Sequence, residues 1–398
     1  MDLSDLRTGK PMRLVYVWQN LGPYHWARMD ALGRAAGVAL EVVQVFRRER
    51  IRAWSGRPDR PVDVRCTTLF DTDERSRLRD VVVARAVTRA VLAADPAVVL
   101  WGTGLYQAWV VAAVLAVRAR GVPSVGHFVS TAADARPRGL WRTAAKAAVH
   151  RLYAGFTPVG LRQLDFLLAN GVAPDRCRIV GNPVDNGWFA GGTDAEAAST
   201  LGVLDAPLRP GRFFLSVGRF SAEKNLPRLI AAYEEYRAIA AATSAWDLAV
   251  VGDGPDRESI ARRFRGSAYA ASIHRLPFLE GLPLRALYRS CGAFVLPSLS
   301  EPWGLVANEA AAAGCPLLLS DRCGCLPHLL HEGINGFRFD PTDVPEMARV
   351  MGRVADPRAD RTAMGEASRH LVADVSPETY AERTAGACRT FLEGWRHA

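Results

Sequence analysis

Lysine is nearly missing from this chain. Of 50 basic residues only Lys10, Lys146 and Lys224 are lysines, so a lysine that falls inside a motif carries weight. Long apolar runs are missing too: none approaches the roughly 18–20 residues that span a bilayer, and MDLSDLRTGK has no apolar stretch behind its charges. Both absences argue against a membrane-spanning chain and lead to the expectation of a cytoplasmic one. Cysteine is sparse and odd in number, seven spread over 398 residues, which argues against a disulfide framework and for reduced thiols. The dinucleotide fingerprint is also incomplete. WGTGLYQAW (101–109) follows a strand with a Gly-x-Gly, but the third glycine would stand at Gln107, which disfavours a Rossmann dehydrogenase. Basic stripes interleaved with aromatics are absent, so nucleic acid is not an expected partner.

What is present suits two ordinary globular domains, with 49% hydrophobic residues over 398 positions. The net charge of +9 is uneven: residues 1–190 hold 27 basic against 16 acidic side chains, a net +11, while the remainder is slightly acidic. A basic half suits phosphorylated small molecules or an anionic membrane surface, and it motivates a peripheral contact with the latter.

Short β-branched runs alternate with longer amphipathic stretches, the pattern of an α/β protein with parallel sheets. The runs fall at 13–18, 39–46, 97–102 and 122–128 in the first half, and at 212–218, 246–252, 272–277, 292–297 and 315–320 in the second. The Gly-, Pro- and Asp-rich stretch from Asn182 to about Gly211 reads as a linker. The expected organisation is a first domain over 1–190, a second over 207–375, and a helix over 376–398, capped by Ser376, that could close either domain and is expected to pack back on the first.

In open parallel sheets ligands lie beyond the carboxyl ends of the strands. After FFLSVG come Arg219 and Lys224, two cations suited to a pyrophosphate. After GAFVLPSLS comes SEPWGLVANEAAAAGCP, with Glu301 before a helix that starts near Gly304 and Glu309 about one turn inside it. The free N–H groups of that helix start suit an anion, and the Glu309 carboxylate could accept both hydroxyls of a ribose. Glu301 could reach the hydroxyls of a sugar beyond the phosphates. On spacing alone, an acid favoured by the helix dipole and an acid on a solvated face explain the pair equally well.

In the first half, QNLGPYHWARMDAL gathers Gly22, Tyr24, His25 and Arg28 after the first strand, where a second substrate would approach. His127 ends a later strand. Asp71 and Asp73 form an Asp-x-Asp that could grip a metal but reads better as the cap of the following helix. Cys315, Cys323, Cys325, His328 and His331 match no zinc spacing. No metal site and no resident cofactor are expected.

The second half resembles the retaining glycosyltransferases of family 4 through SVGRFSAEKN, VVGDGPDRE, LPFLEGLPLRALYRSCGAFVLPSLSEPWGLVANEAAAAGCPLLLSDRCGC and HEGINGFRFDP. The resemblance implies the GT-B fold, two facing Rossmann-like domains with a deep interdomain cleft. It implies that Arg219 and Lys224 bind the donor diphosphate and that Glu309 binds its ribose. Glu301 and the backbone around Trp303, Gly304 and Leu305 would meet the donor sugar, and the nucleobase would lie near Pro277 and Phe278. His127 would be the first-domain histidine at the reaction centre, with Glu301 as the second catalytic group. The implied activity is metal-independent, retaining transfer from a nucleotide-diphosphate sugar to a glycan or lipid-linked glycan acceptor in bacterial cell-surface or exopolysaccharide synthesis. A soluble small-molecule acceptor is the alternative, and a non-catalytic binding protein on the same fold the remote one.

Overall fold

The computed structural model describes residues 10–47, 64–71, 78–132, 140–204, 206–240 and 245–396. The chain divides into two compact units, Met1–Val184 with Ser376–Ala398, and Asp185–Val375.

The first unit carries six strands: β1 (Met12–Trp18), β2 (Val38–Phe46), β3 (Arg65–Phe70), β4 (Val98–Trp101), β5 (Ser124–Phe128) and β6 (Gly155–Pro158). The second carries β7 (Phe213–Val217), β8 (Asp247–Val251), β9 (Ile273–Leu276), β10 (Ala293–Leu296), β11 (Leu317–Ser320) and β12 (Gly336–Phe339). The sheet orders are β3-β2-β1-β4-β5-β6 and β12-β11-β10-β7-β8-β9, with every neighbouring pair parallel. Counted from its own first strand, the second sheet repeats the order of the first. In each, the chain winds outward from a central strand and then crosses back to the other side. This places a topological switch point at the carboxyl ends of β1 and β4, and another at those of β7 and β10.

Both faces of each sheet are covered, which is why the strands read as continuous apolar runs rather than alternating ones. On β1, Leu14, Tyr16 and Trp18 join one apolar cluster and Val15 and Val17 the other. The first cluster includes Tyr380, Ala381, Ala385, Cys388, Phe391 and Leu392 of the terminal helix Pro377–Arg396. Ser376 caps that helix by accepting the Thr379 N–H at 3.1 Å, and the Tyr16 and Tyr380 hydroxyls are hydrogen-bonded at 2.7 Å. The terminal helix is therefore part of the first unit's core.

Three strands escaped the sequence reading, each for a local reason. β3, RCTTLF, is a half-exposed edge with no apolar run. β6, GFTP, is a four-residue strand holding both Gly and Pro. β12 opens on Gly336, which lies so close to β11 that a Cβ there would fall 1.8 Å from the Leu317 carbonyl oxygen. The segment from Asn182 to Gly211 also differs from a plain linker. It contains the helices Asn186–Ala190 and Asp194–Gly202, capped by Asp185 and Thr193. The Arg285 guanidinium covers the Trp188 ring at 4.2 Å and pairs with Glu196 at 3.2 Å, and Arg289 pairs with Asp194 at 2.7 Å. Those contacts bind the segment to the second unit, so the division falls at Val184 rather than at residue 190.

Candidate active site

The second switch point holds the densest group of candidate residues. β7 ends at Val217, and Gly218 and Arg219 follow it directly. A single 3-10 turn, Ala222–Lys224, then stops at Asn225, whose φ of 56° is left-handed, and the helix Leu226–Ile239 begins. Asn225 is buried and donates from its amide to the Pro297 carbonyl at 3.1 Å and to that of Pro341 at 2.7 Å. This fixes the turn carrying Lys224 against the end of β10. Gly218, Arg219, Lys224, Leu296 and Pro297 line a small pocket at this point.

Glu301 enters from the β10 side. Its carboxylate forms an ion pair with the Lys224 ammonium and accepts from the Ser298 hydroxyl at 3.2 Å through the same oxygen, Oε2. The pair is largely enclosed, with 19% and 11% of the two side chains exposed. The loop behind it is stitched to residues 323–325: the Gly324 N–H donates to the Glu301 carbonyl at 2.9 Å and the Cys325 N–H to that of Trp303 at 3.0 Å. The Trp303 ring is buried and donates to Asn308 Oδ1 at 2.8 Å, so Trp303 can offer a ligand only its backbone.

Gly304 then starts the helix Leu305–Ala313 with φ of 102°, a conformation that a side chain would strain. A Cβ there would also lie 3.3 Å from Glu301 Cγ. No side chain caps this helix, so its leading N–H groups keep their capacity for an anion. Glu309, one turn in, is not a solvated surface acid. Its Oε2 accepts from the buried Tyr288 hydroxyl at 2.8 Å. Burial pushes its carboxyl up to about 7, with the Tyr288 hydrogen bond acting in the opposite sense. Pro277 and Phe278 follow β9, where Phe278 is 45% exposed, unusual for so large an apolar ring. Among the described residues, no hydrogen bond or ion pair joins Phe278 or Glu309 to the Lys224–Glu301 pair.

The first unit gathers its own candidates at the end of β1. Gly22 is the N-cap of the helix Pro23–Arg34 and donates its N–H to His25 Nδ1 at 2.8 Å. The His25 ring packs 4.3 Å from Trp18 and 4.2 Å from Tyr24. Arg28 is buried, donates from Nε to the Pro183 carbonyl at 2.9 Å, and lies over the Tyr24 and Tyr380 rings. Its Nη2 is buried with no hydrogen-bond partner among the described residues, and burial lowers its pKa. His127, on β5, contacts Thr157 Oγ1 through Nδ1 at 3.2 Å and the edges of the Tyr16, Trp18 and Tyr380 rings. Burial and then the Arg28 charge lower its pKa to about 3, so the ring is neutral at physiological pH. A neutral imidazole there can orient a hydroxyl by hydrogen bonding but does not supply an acidic proton. Trp18 touches both His25 and His127, which brings this group together.

Asp71 is not the cap of the following helix. That helix begins at Asp80, and Asp71 pairs with Arg47 at 2.6 Å; Asp73 lies outside the described residues. Among the described residues no cluster of His, Cys, Asp and Glu could hold a metal ion, and no helix is long and apolar enough to cross a membrane. None of the seven cysteines is in a disulfide.

The sequence profile described as "Glycosyl transferases group 1" matches residues 208–371. That segment is a group 1 glycosyl transferase domain. Curated relatives include the sulfoquinovosyl transferase of Arabidopsis thaliana, 28% identical over 52% of this chain and 38% of that protein. The glycogen synthase of Mycobacterium tuberculosis is 34% identical over 43% and 41%, and the D-inositol 3-phosphate glycosyltransferase of Acidothermus cellulolyticus 32% over 47% and 42%. The chain thus spans about two fifths of the length of these relatives. Among solved structures, Anabaena HepE in complex with UDP covers 94% of this chain and 98% of its own at 14% identity and a TM-score of 0.71. Sucrose-phosphate synthase from Thermosynechococcus elongatus covers 96% and 100% at 18% and 0.72. The fold is GT-B.

Arg219, Lys224, Phe278, Glu301, Trp303, Gly304, Leu305 and Glu309 all fall inside the group 1 domain, whereas Gly22, Tyr24, His25, Arg28 and His127 fall outside it. Two residues of the domain were missed by sequence reasoning. Asn225 had a legible signal, an Asn at the break between a polar turn and a helix, where left-handed backbone is common. Tyr288 had none, because its meeting with Glu309 depends on how two helices pack.

Proposed function

We propose that the chain is a retaining, metal-independent glycosyltransferase that moves a sugar from a nucleotide-diphosphate sugar to a glycan acceptor, in bacterial cell-surface or exopolysaccharide synthesis. The observation that carries this reading is the meeting of Lys224, Arg219 and Glu301 at the switch point of the group 1 domain, beside an uncapped helix start. Arg219 and Lys224 hold the donor diphosphate, Glu309 the ribose diol, and Phe278 offers an exposed ring to the nucleobase. Glu301 keeps one carboxylate oxygen outside its bonds to Lys224 and Ser298, and that oxygen serves a sugar hydroxyl.

As the glycosidic C–O bond to phosphate breaks, negative charge grows on the departing diphosphate. The two cations and the helix N-terminus then stabilise the transition state more than the ground state. The acceptor hydroxyl attacks the same face and passes its proton to the leaving phosphate. His127, neutral and beside Arg28, orients a sugar hydroxyl, and the Gly22, Tyr24, His25 and Arg28 group lies on the acceptor side.

The reading is tested by calorimetric titration with UDP, GDP, ADP and TDP and their glucose conjugates, with and without EDTA. UDP is the first to try, since it is the nucleotide in the HepE complex. One base is expected to bind with unchanged affinity in EDTA. Binding that requires a metal would remove the metal-independent mechanism, and no binding to any of them would remove the transferase reading.

For the acceptor, the +11 charge of residues 1–190 favours a lipid-linked glycan met at an anionic, inner membrane surface by a cytoplasmic protein. Sedimentation with phosphatidylglycerol vesicles at low salt should carry the protein down and 0.5 M salt, on the order of a fourfold shorter screening length, should release it. A protein that stays in the supernatant at low salt would leave the soluble-acceptor reading, which the D-inositol 3-phosphate glycosyltransferase relatives support.

A further inference from the structure

We infer that Tyr288 is a positioning residue for the donor, holding Glu309 as an oriented carboxylate ready to accept the two ribose hydroxyls. This rests on the proposed donor role of Glu309 and adds a residue to it. Tyr288 lies on the helix Gly281–Ser290, 1% exposed, and its hydroxyl is spent on Glu309 Oε2 at 2.8 Å. The other end of the residue is fixed as well: the Cys315 and Cys291 thiols donate to its carbonyl at 3.0 and 3.4 Å, and its ring meets those of Phe189 and Phe294, each at 5.8 Å. A buried tyrosine clamped at both ends holds its hydroxyl in place, and that hydroxyl ties Glu309 Oε2.

The chemistry follows from the hydrogen-bond inventory. A carboxylate has about four acceptor positions, so Oε2 can accept from Tyr288 and still share a diol with Oε1. Burial, then the adjacent Glu309 charge, raises the Tyr288 phenol well above its ordinary value, so it always acts as a donor. A donor to the charged form favours that form, and here it opposes the burial that pushes Glu309 toward neutrality.

Three charged or titratable groups on neighbouring elements are engaged elsewhere. Arg369, on the helix Arg361–Ala373, donates to the Ala313 carbonyl at the far end of the Glu309 helix. Arg285 is taken by Trp188 and Glu196, and His328 of the short helix Leu326–Leu329 packs on Trp303. Cys291 and Cys315 face the Tyr288 carbonyl rather than the acid. Tyr288 is thus the titratable group bonded to Glu309.

The experiment measures affinity for the best-binding member of UDP-, GDP-, ADP- and TDP-glucose between pH 5.5 and 9, in wild type, Tyr288→Phe, Glu309→Gln and the double variant. The diphosphate of these donors, esterified at both ends, loses no proton in that range. Tyr288→Phe is expected to weaken binding about fivefold at pH 8 and to move the midpoint of the pH profile upward by roughly one unit, as loss of a hydrogen bond to the charged form requires. In the Glu309→Gln background the same change should leave the pH profile unmoved, because Tyr288 acts through the acid. A Tyr288→Phe profile superimposable on wild type overturns the inference while leaving the donor site standing. So does an equal loss in both backgrounds, which marks a packing role. No binding by wild type to any of the four overturns the donor reading underneath it.

Discussion

Lys224→Ala is expected to reduce affinity for the donor nucleotide about 100-fold, the largest loss of any single substitution outside the ribose site. A charge-assisted hydrogen bond contributes about 1.5–3 kcal/mol, and each 1.4 kcal/mol is about tenfold in affinity. The same change has a second effect, because Lys224 is ion-paired with a Glu301 side chain that is only 11% exposed. Deleting the ammonium leaves an enclosed carboxylate without its counter-charge, which costs stability as well as binding. The two effects separate with Glu301→Gln added to Lys224→Ala: the neutral amide needs no counter-charge, so melting temperature recovers while affinity stays low. Arg219 supplies the control. It is exposed on the loop after β7, so Arg219→Ala should weaken nucleotide binding about tenfold without moving the melting temperature. Calorimetry with UDP and a thermal melt on each variant measure both quantities. If Lys224→Ala binds the nucleotide within threefold of wild type, the pocket at the switch point is not the diphosphate site.

The sequence made both members of this pair legible and hid their meeting. The rarity of lysine marked Lys224, and the strand-end position marked Glu301, but 77 residues separate them, and their direct pairing follows from β7 and β10 being neighbours. Sheet order is a long-range property that no local pattern carries. The same distinction divides the strands. β1, β2, β4, β5, β7, β8, β10 and β11 are β-branched or apolar runs that are mostly buried, which gives them a strong local signal. β6 and β12 are four-residue strands opening on glycine, held by their neighbours rather than by their own propensity. In the segment after Asn182, Gly and Pro suggested a plain linker, while the Asp185 and Thr193 caps and the distant Arg285 and Arg289 made it a helical part of the second unit.

His127 shows a different limit. Its place at the end of β5 could be read from the sequence, but its protonation state depends on Tyr16, Trp18, Tyr380 and Arg28 closing around it. A histidine with an ordinary pKa would titrate near neutrality; this one is neutral there, which restricts its role to that of a hydrogen-bonding group.

Glu309→Gln is the second large prediction, because it separates binding from stability in opposite directions. An ionised carboxylate offers two oxygens to a ribose diol, whereas an amide offers one acceptor and a mismatched donor. The loss in donor affinity at pH 8 should be about 100-fold. Stability should move the other way, and the sign follows from the raised carboxyl. Burial holds Glu309 protonated in the folded chain up to about pH 7, while in the unfolded chain it ionises near its usual value of about 4.3. Folding is therefore unpenalised below that lower value, becomes progressively less favourable as pH rises between the two, and carries the full penalty above 7, on the order of 4 kcal/mol. Glutamine keeps the acceptor for Tyr288 and has no charge to bury, so Glu309→Gln should melt roughly 10 °C higher than wild type at pH 8 and nearly equally at pH 4.5. Donor binding carries the complementary signature: wild-type affinity for the nucleotide sugar should fall by up to about tenfold per pH unit below 7, since the ligand selects the ionised acid, while Glu309→Gln stays flat. A variant that melts lower than wild type at pH 8, or a wild-type profile level from pH 5.5 to 9, would mean that Glu309 is an ordinary solvated acid and that the ribose is held elsewhere.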